Sequence, residues 1–178
     1  NGAEIDDDGT PHVLAPASSE FAHACGGTEI PACDATSEVA WERTGGGFSS
    51  RFDVPPWQNA ATAIAAGYGV KAGRGVPDFA AQVMPGYPAF FEGAQLAMGG
   101  TSAVAPLWSA LTARLNQRLG NAVGFFAPLL YAAPAGLFRD VTSGGNDRFK
   151  AGAGWNPCTG LGVPIGDAIE RALRALGS

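Results

Sequence analysis

An apolar stripe with helical spacing in the middle of the chain is the feature that most limits the possible fold. Val104, Leu107, Trp108, Leu111 and Leu115 recur three or four residues apart, with polar side chains between several of them. This period predicts one amphipathic helix, and Gly120 stands where a C′ glycine ends a helix. Such a helix needs a partner layer to cover its apolar face, and 178 residues are enough to bury a sizeable core.

Strand and helix patterns alternate on both sides of this segment. Strands are predicted within residues 21–30, 39–42 and 78–81, and a hairpin over 90–96 turns at Glu92-Gly93. Further helices are predicted over 57–66, 126–131 and 167–176, the last with Asp167 as N-cap and Glu170 at capping-box spacing. The alternation predicts the α/β class.

Composition excludes several classes of protein. The net charge of −5 argues against a nucleic-acid partner, which requires a basic face. No apolar run approaches the roughly 18 residues that cross a bilayer, which argues against a membrane span. Hydrophobic residues make up 46% of the chain, which argues against disorder as its main state.

The three cysteines are Cys25, Cys33 and Cys158, and none of them forms a C-x-x-C pair. Zinc or thioredoxin-type chemistry is therefore unsupported. A bridge between Cys25 and Cys33 is compatible with their spacing, but buried free thiols that behave as small apolar groups are the favoured alternative. The cysteines alone leave both alternatives open.

A short glycine-rich segment ending in serine directly precedes the predicted long helix. It runs Gly99-Gly100-Thr101-Ser102-Ala103. A serine at a helix N-terminus lies where the helix dipole stabilises developing negative charge, which suits a nucleophile. Serine is also a preferred N-cap. These local features leave a catalytic and a capping serine both open.

The longer string GGTSAVAPLWSA, residues 99–110, resembles the nucleophile segment G-T-S-x-x-x-P of subtilisin-like peptidases. More closely, it is similar to the sedolisins, the serine-carboxyl peptidases, and within them to the kumamolisin type. The resemblance extends over nearly the whole chain, because further fragments stand in the family's order: residues 24–28, 44–47, 73–78, 140–142 and 152–162. In combination these fragments are highly specific.

The resemblance implies a subtilisin-like α/β fold with a mostly parallel sheet flanked by helices. It also implies an endopeptidase that works in acid, with Ser102 as nucleophile, a Glu base assisted by an Asp, and a second Asp in the oxyanion hole. A carboxylate base suits acid operation because it titrates about two units below imidazole. His12 and His23, the only histidines, are accordingly expected to be structural.

The family's Glu and Asp lie N-terminal to everything in this sequence. Asn1-Gly2 matches the end of the family's G-D-[SN]-G element, so the oxyanion Asp would precede Asn1. We therefore expect residues 1–178 to be the C-terminal portion of a single catalytic domain of a secreted enzyme. Its expected partners are the N-terminal half of that domain and a peptide or protein substrate, and the chain alone is expected to be inactive.

Two further sites are implied by the resemblance. One is a substrate cleft lined by Gly45, Gly46 and Gly47 and flanked by Gly99 and Gly100. The other is a site for one Ca²⁺ ion within residues 140–162, with ligands Asp140, Val141, Gly152, Gly154 and Asn156. Asn156 replaces the family's second carboxylate and so removes one negative charge, and a hydrogen-bonded loop without an ion is the alternative.

Two other functions compete with the peptidase hypothesis. One is a catalytically inactive, calcium-stabilised binding or scaffold module that kept the fold. The other is a Ser-His-Asp hydrolase complete within this chain, which would have to recruit His12 or His23, although neither lies in a supporting motif. Asp78 is expected to make a structural hydrogen bond rather than to act in catalysis.

Overall fold

The computed structural model describes residues 4–5, 11–31 and 34–176 of the chain. Asn1, Gly2 and Cys33, which carry some of the predictions above, lie outside the described residues.

Short strands and a few helices make up the described part of the chain. The strands are β1 (Glu4–Ile5), β2 (Pro11–His12), β3 (Cys25–Glu29), β4 (Val39–Ala40), β5 (Gly47–Phe48), β6 (Gly75–Val76), β7 (Phe79–Met84), β8 (Tyr87–Phe91), β9 (Ala94–Met98), β10 (Phe138–Arg139) and β11 (Val163–Pro164). The α-helices are α1 (Asn59–Gly67), α2 (Val104–Leu119), α3 (Ala127–Ala132) and α4 (Gly166–Leu176). None of these helices is long and apolar enough to cross a membrane.

The central sheet has the strand order β4-β3-β7, with β3 antiparallel to β4 and parallel to β7. The parallel register places Cys25 opposite Phe79 and Gly27 opposite Ala81. The other strand pairs in the described residues are antiparallel and two-stranded. The predicted α/β class is confirmed, with the β3–β7 pair as its parallel element.

Helix α2 packs against this sheet and forms the main core. Val104, Trp108 and Leu115 are buried, and the Trp108 ring stacks on Phe79 of β7 at a centroid distance of 3.6 Å. The predicted apolar face is wrong at Leu107, which is 41% exposed. The buried positions are spaced by four and seven residues, which places Leu107 at the edge of the stripe.

Helix α4 packs against α2 and contributes Ile169 and Leu173, which are buried, to the same core. The predicted capping box is wrong, because the helix begins at Gly166 and Asp167 therefore lies inside its first turn. Glu170 instead pairs with Arg118 of α2 and with Arg174, at 2.8 Å from the latter. The carboxylate thus joins two helices rather than capping one.

These two arginines lower the pKa of Glu170 below its ordinary value of 4.5, first through the Arg174 hydrogen bond. A carboxyl group whose pKa is lower in the folded than in the unfolded state stabilises the protein at pH values above its unfolded-state pKa. This contribution is lost as the pH falls through its folded-state pKa. We therefore expect thermal unfolding of Glu170→Gln to depend less on pH below about 4.5 than that of the unmodified chain. Glu42→Gln, which removes an exposed carboxylate, is the control and is expected to retain the original dependence. Equal pH dependence in both variants would contradict the assignment.

A second apolar cluster fixes the C-terminal loops to the rest of the molecule. Ala61 and Ala65 of α1 belong to it together with Phe48, Phe149 and Trp155. The indole nitrogen of Trp155 also donates to the carbonyl of Pro77 at 2.9 Å. The long region 140–162 is therefore anchored by aromatic side chains, although it contains little regular structure.

Candidate active site around Ser102

Ser102 lies in a tight turn between β9 and α2. Residues Thr101–Ala103 form one 3₁₀ turn that leads into the helix. Gly100, with φ 120° and ψ 159°, starts this turn in a conformation that strongly favours glycine. Thr101 is buried and the next residue, Ser102, is exposed. The glycine thus fixes the buried threonine and presents the serine to solvent.

Ser102 does not act as an N-cap. The residues at the two cap positions are Gly100 for the 3₁₀ turn and Ala103 for α2, and neither position has a side-chain cap hydrogen bond. Of the two roles that the local sequence left open, capping is therefore excluded. The hydroxyl lies at the N-terminal end of a 16-residue helix, where the dipole favours negative charge.

A cavity of about 360 Å³ opens beside this serine. Thr101, Ser102 and Ala105 form one wall, and residues 14–17 and 22–25 form the other. The second wall includes His23 and Cys25. The sequence offered His23 as a partner of Ser102 only through the hydrolase alternative. It did not associate Cys25 with Ser102, because residues 21–30 have the composition of an ordinary buried strand.

His23 packs among aromatic rings and makes no catalytic contact. Its ring lies 4.8 Å from Phe125 in a stacked geometry and 4.7 Å from Phe126 edge-on. Its buried Nε2 has no hydrogen-bond partner within the described residues. Burial lowers the pKa of His23 below 6.5 and is the largest effect on it. The charge of Asp78 raises this pKa and the charge of Arg74 lowers it, both to a smaller extent. The structural role expected for His23 fits these contacts, and no Ser102–His23 pair forms among the described residues.

Neither of the two described thiols, Cys25 of the cavity wall and Cys158 outside it, is a reactive nucleophile. Cys25 and Cys158 are both free. Burial raises the pKa of Cys25 to about 12 and that of Cys158 to about 11. Because only the thiolate attacks electrophiles, both sulfurs stay unreactive at neutral and acid pH. Of the hydroxyl and thiol side chains that line this cavity, that of Ser102 thus belongs to an exposed residue.

Behind the cavity wall lies a buried ion pair between Arg74 and Asp78. Asp78 Oδ2 accepts from Arg74 Nη2 at 2.7 Å and from the backbone N–H of Ala24 at 2.7 Å. Its Oδ1 accepts from the hydroxyl of Tyr131 at 2.9 Å and, more weakly, from Gln58 Nε2 at 3.4 Å. The structural role predicted for Asp78 agrees with this network, which fixes the 22–25 segment that lines the cavity.

None of the predicted cleft glycines is among the residues that line this cavity. Gly99 and Gly100 lead directly into the Ser102 turn. Gly45, Gly46 and Gly47 are buried and do not line the cavity beside Ser102. A Cβ on Gly46 would lie 1.7 Å from the carbonyl oxygen of Pro157. Close packing against the C-terminal loop therefore accounts for glycine at this position.

The five predicted calcium ligands can be tested by the direction of their donor atoms. Asp140 Oδ2 accepts from the N–H of Gly154 at 3.1 Å. Asn156 directs its Nδ2 at the carbonyls of Gly152 and Gly154, at 2.9 and 3.3 Å. Calcium is bound by oxygen atoms, and an N–H donor directed at two ligand carbonyls is not a ligand. The set, which includes Val141, therefore does not fit a cation in this arrangement. Within the described residues no cluster of three His, Cys, Asp or Glu side chains could hold a metal.

Comparison with known proteins reveals clear relatives. Kumamolisin of Bacillus sp. (strain MN-32) is 45% identical over 183 residues, covering 93% of this chain and 33% of kumamolisin. Tripeptidyl-peptidase sed4 of Aspergillus fumigatus is 32% identical over 189 residues, covering 84% of this chain and 31% of that protein. No protein-family model matches the chain.

A solved structure agrees with these relatives. It is a Pseudomonas sedolisin, a serine-carboxyl proteinase, complexed with two molecules of pseudo-iodotyrostatin. The two folds superpose with a TM-score of 0.81 at 29% identity, covering 95% of this chain and 50% of the sedolisin chain. The chain thus spans about a third of the length of the curated relatives it matches, and half of the solved one.

Proposed function

This chain belongs to the sedolisin family of serine-carboxyl peptidases, and on this basis we propose that it carries the nucleophile of an acid endopeptidase. In this proposal Ser102 attacks the carbonyl carbon of a peptide bond. Residues 1–178 form the C-terminal portion of one catalytic domain, and the remainder supplies the carboxylate base and the oxyanion Asp. Secretion, which the family resemblance implies, is part of the same proposal.

One observation supports this function best: Ser102 is the exposed residue of a glycine-started turn, at the mouth of a cavity and at a helix N-terminus. Covalent catalysis requires a hydroxyl that substrate can reach and whose surroundings tolerate developing negative charge. The first turn of α2 meets the second requirement through its dipole. The exposure of Ser102, beside the cavity, meets the first.

Acid operation follows from the type of base. The cavity wall offers His23, but its ring is packed against Phe125 and Phe126, and its buried Nε2 has no hydrogen-bond partner among the described residues. A carboxylate from the remainder of the domain would take the proton from the Ser102 hydroxyl as the new carbon–oxygen bond forms and the carbonyl π electrons move onto the carbonyl oxygen. The carbon–nitrogen bond would then break, and the leaving amine would take the proton back from the carboxylic acid. A base acts best when its pKa lies near the operating pH, which for a carboxylate is acid.

The proposed cleft runs along the Ser102 turn. Gly99 and Gly100 would flank it, because side chains at these positions would crowd a peptide that approaches the hydroxyl. The cavity between this turn and residues 14–17 and 22–25 is the adjacent space in which a substrate side chain could lie. Gly45, Gly46 and Gly47 do not line this cavity. They would influence the cleft through the close packing of their segment, in which Gly46 lies against Pro157.

Reassembly of the domain tests the proposed function. We expect the chain alone to leave an unfolded protein substrate intact at acid pH. Co-folded with the polypeptide that precedes it in its own precursor, the chain is expected to cleave that substrate at acid pH and much more slowly at neutral pH. Cleavage is read by mass spectrometry of the products.

A correctly assembled but inactive complex would contradict the peptidase hypothesis. It would favour the binding or scaffold module that kept the fold and lost the chemistry. Cleavage by the chain alone with a neutral optimum would instead favour a complete hydrolase that uses His23. Size-exclusion chromatography of the complex shows whether assembly occurred, so an inactive complex and a failure to assemble can be distinguished.

A further inference from the structure

The environment of Asn156 departs from what an ion-binding loop requires. The side chain is buried, with 4% of its surface exposed, and every polar atom of the residue is engaged. Its backbone N–H donates to the carbonyl of Gly160 at 3.1 Å, and its carbonyl accepts from the N–H of Gly160 at 2.9 Å. The residue is therefore fixed in place before its side chain is considered.

The orientation of the Asn156 amide is determined by its oxygen. Oδ1 accepts from the backbone N–H groups of Cys158 and Thr159, at 3.1 and 2.9 Å, and from the Thr159 hydroxyl at 3.1 Å. A flipped amide would direct an NH₂ group at two N–H donors, which cannot accept it. The nitrogen must therefore face the opposite side, toward Gly152 and Gly154.

On that side Nδ2 bridges two backbone carbonyls that would otherwise converge on a common point. It lies 2.9 Å from the Gly152 oxygen and 3.3 Å from the Gly154 oxygen. An amide N–H₂ group carries partial positive charge, so it satisfies converging carbonyls in the way a cation does, without an ion. Asp140 completes the arrangement by accepting from the N–H of Gly154 at 3.1 Å.

We propose that the Asn156 amide takes the place of a bound calcium ion in this chain, so that the loop 140–156 is held closed by hydrogen bonds and its stability is independent of calcium. The sequence left a hydrogen-bonded loop without an ion as the alternative to a calcium site. In this proposal Asn156 is the residue whose hydrogen bonds hold that loop closed. The carboxylate at Asp140 then acts as a hydrogen-bond acceptor rather than as a metal ligand.

The substitution Asn156→Asp tests this proposal as a gain of function. It keeps the oxygen that accepts from Cys158 and Thr159, and it replaces the bridging N–H₂ with a carboxylate oxygen directed at two carbonyls. We expect the unmodified chain to melt at the same temperature in a chelator and in millimolar Ca²⁺. Asn156→Asp is expected to melt about 5–10 °C lower in the chelator, and Ca²⁺ is expected to restore most of that loss.

Asn146→Asp is the matched control because it makes the same change of charge in the same loop region. Asn146 is also buried, and its Oδ1 likewise accepts from two backbone N–H groups, those of Arg148 and Phe149. Its Nδ2, however, contacts no acceptor within the described residues. Because no carbonyl pair converges on it, Asn146→Asp is expected to gain no calcium response.

A second measurement on the unmodified chain does not depend on any variant folding. Terbium occupies calcium sites, and Trp155 stands next to Asn156 in the sequence to sensitise its emission. When terbium is added to the unmodified chain, we expect no tryptophan-sensitised terbium emission that is lost on addition of Ca²⁺. Such emission, or a melting temperature that falls in the chelator and recovers with Ca²⁺, would overturn the proposal. An Asn156→Asp variant that folds but shows no calcium response would overturn it as well.

Discussion

Under the proposed function, replacing Ser102 by alanine is expected to lower kcat/KM for peptide cleavage by the reassembled domain by about 10⁴-fold or more at acid pH. Removal of the proposed nucleophile leaves only the binding and oxyanion contributions. Thr101, the neighbouring hydroxyl residue of the cavity, is buried. Cys25 cannot substitute, since burial raises its pKa to about 12. Initial rates of peptide cleavage measure the effect, and the melting temperature is expected to change by less than about 2 °C because Ser102 is exposed.

Ser109→Ala is the matched control for this experiment. Ser109 is also an exposed serine near the start of α2, and its hydroxyl donates to the carbonyl of Ala105 within the helix at 2.9 Å. It lines a different cavity from Ser102, one bounded by His23, Trp108 and Phe126. We expect this variant to retain its activity within about a factor of two. Activity retained by Ser102→Ala, or lost equally in both variants, would rule out the assigned nucleophile.

Asp78→Ala is expected to cost about 3–5 kcal/mol of the free energy of unfolding, the range for removing one partner of a buried ion pair. Arg74 and Asp78 are 1% and 0% exposed, so the remaining guanidinium would be buried without its counter-charge. The N–H of Ala24 and the hydroxyl of Tyr131 would lose their acceptor as well. For a chain of this length, the loss corresponds to a melting temperature lower by roughly 6–20 °C.

Asp53→Ala is the control for Asp78→Ala, because Asp53 is exposed and lies outside this network. It is expected to change the unfolding free energy by no more than about 0.5 kcal/mol. Denaturant unfolding followed by tryptophan fluorescence compares the variants. A loss below about 1 kcal/mol for Asp78→Ala would show that the Arg74–Asp78 pair contributes little to the fold.

Several elements could be predicted from sequence because their information is local. The helix at 104–119 follows from a repeat of three or four residues, and it ends at Gly120, whose φ of 76° is left-handed as predicted for C′. The hairpin turns at Glu92-Gly93, where both residues have positive φ, at 50° and 78°. Each of these features depends on neighbours within a few residues.

Other features could not be predicted, because the contacts that define them join distant segments. Ala24 and Asp78 are 54 residues apart and share a 2.7 Å hydrogen bond. Glycine at position 46 is required by Pro157, and no local pattern reveals this contact. The capping box predicted at Glu170 is replaced by a pair with Arg118 on another helix.

The sequence by itself determined the family, the α/β class and Ser102 as the candidate nucleophile. Residue identity and order carry that information, and the relatives and the solved sedolisin agree with the first two. Only the tertiary structure decided that Ser102 is exposed beside a cavity, that Gly46 packs against Pro157, and that Asn156 directs nitrogen rather than oxygen at Gly152 and Gly154. The physical reason is that an amide has one accepting and one donating end, and its direction is set by neighbours that only the folded chain brings together.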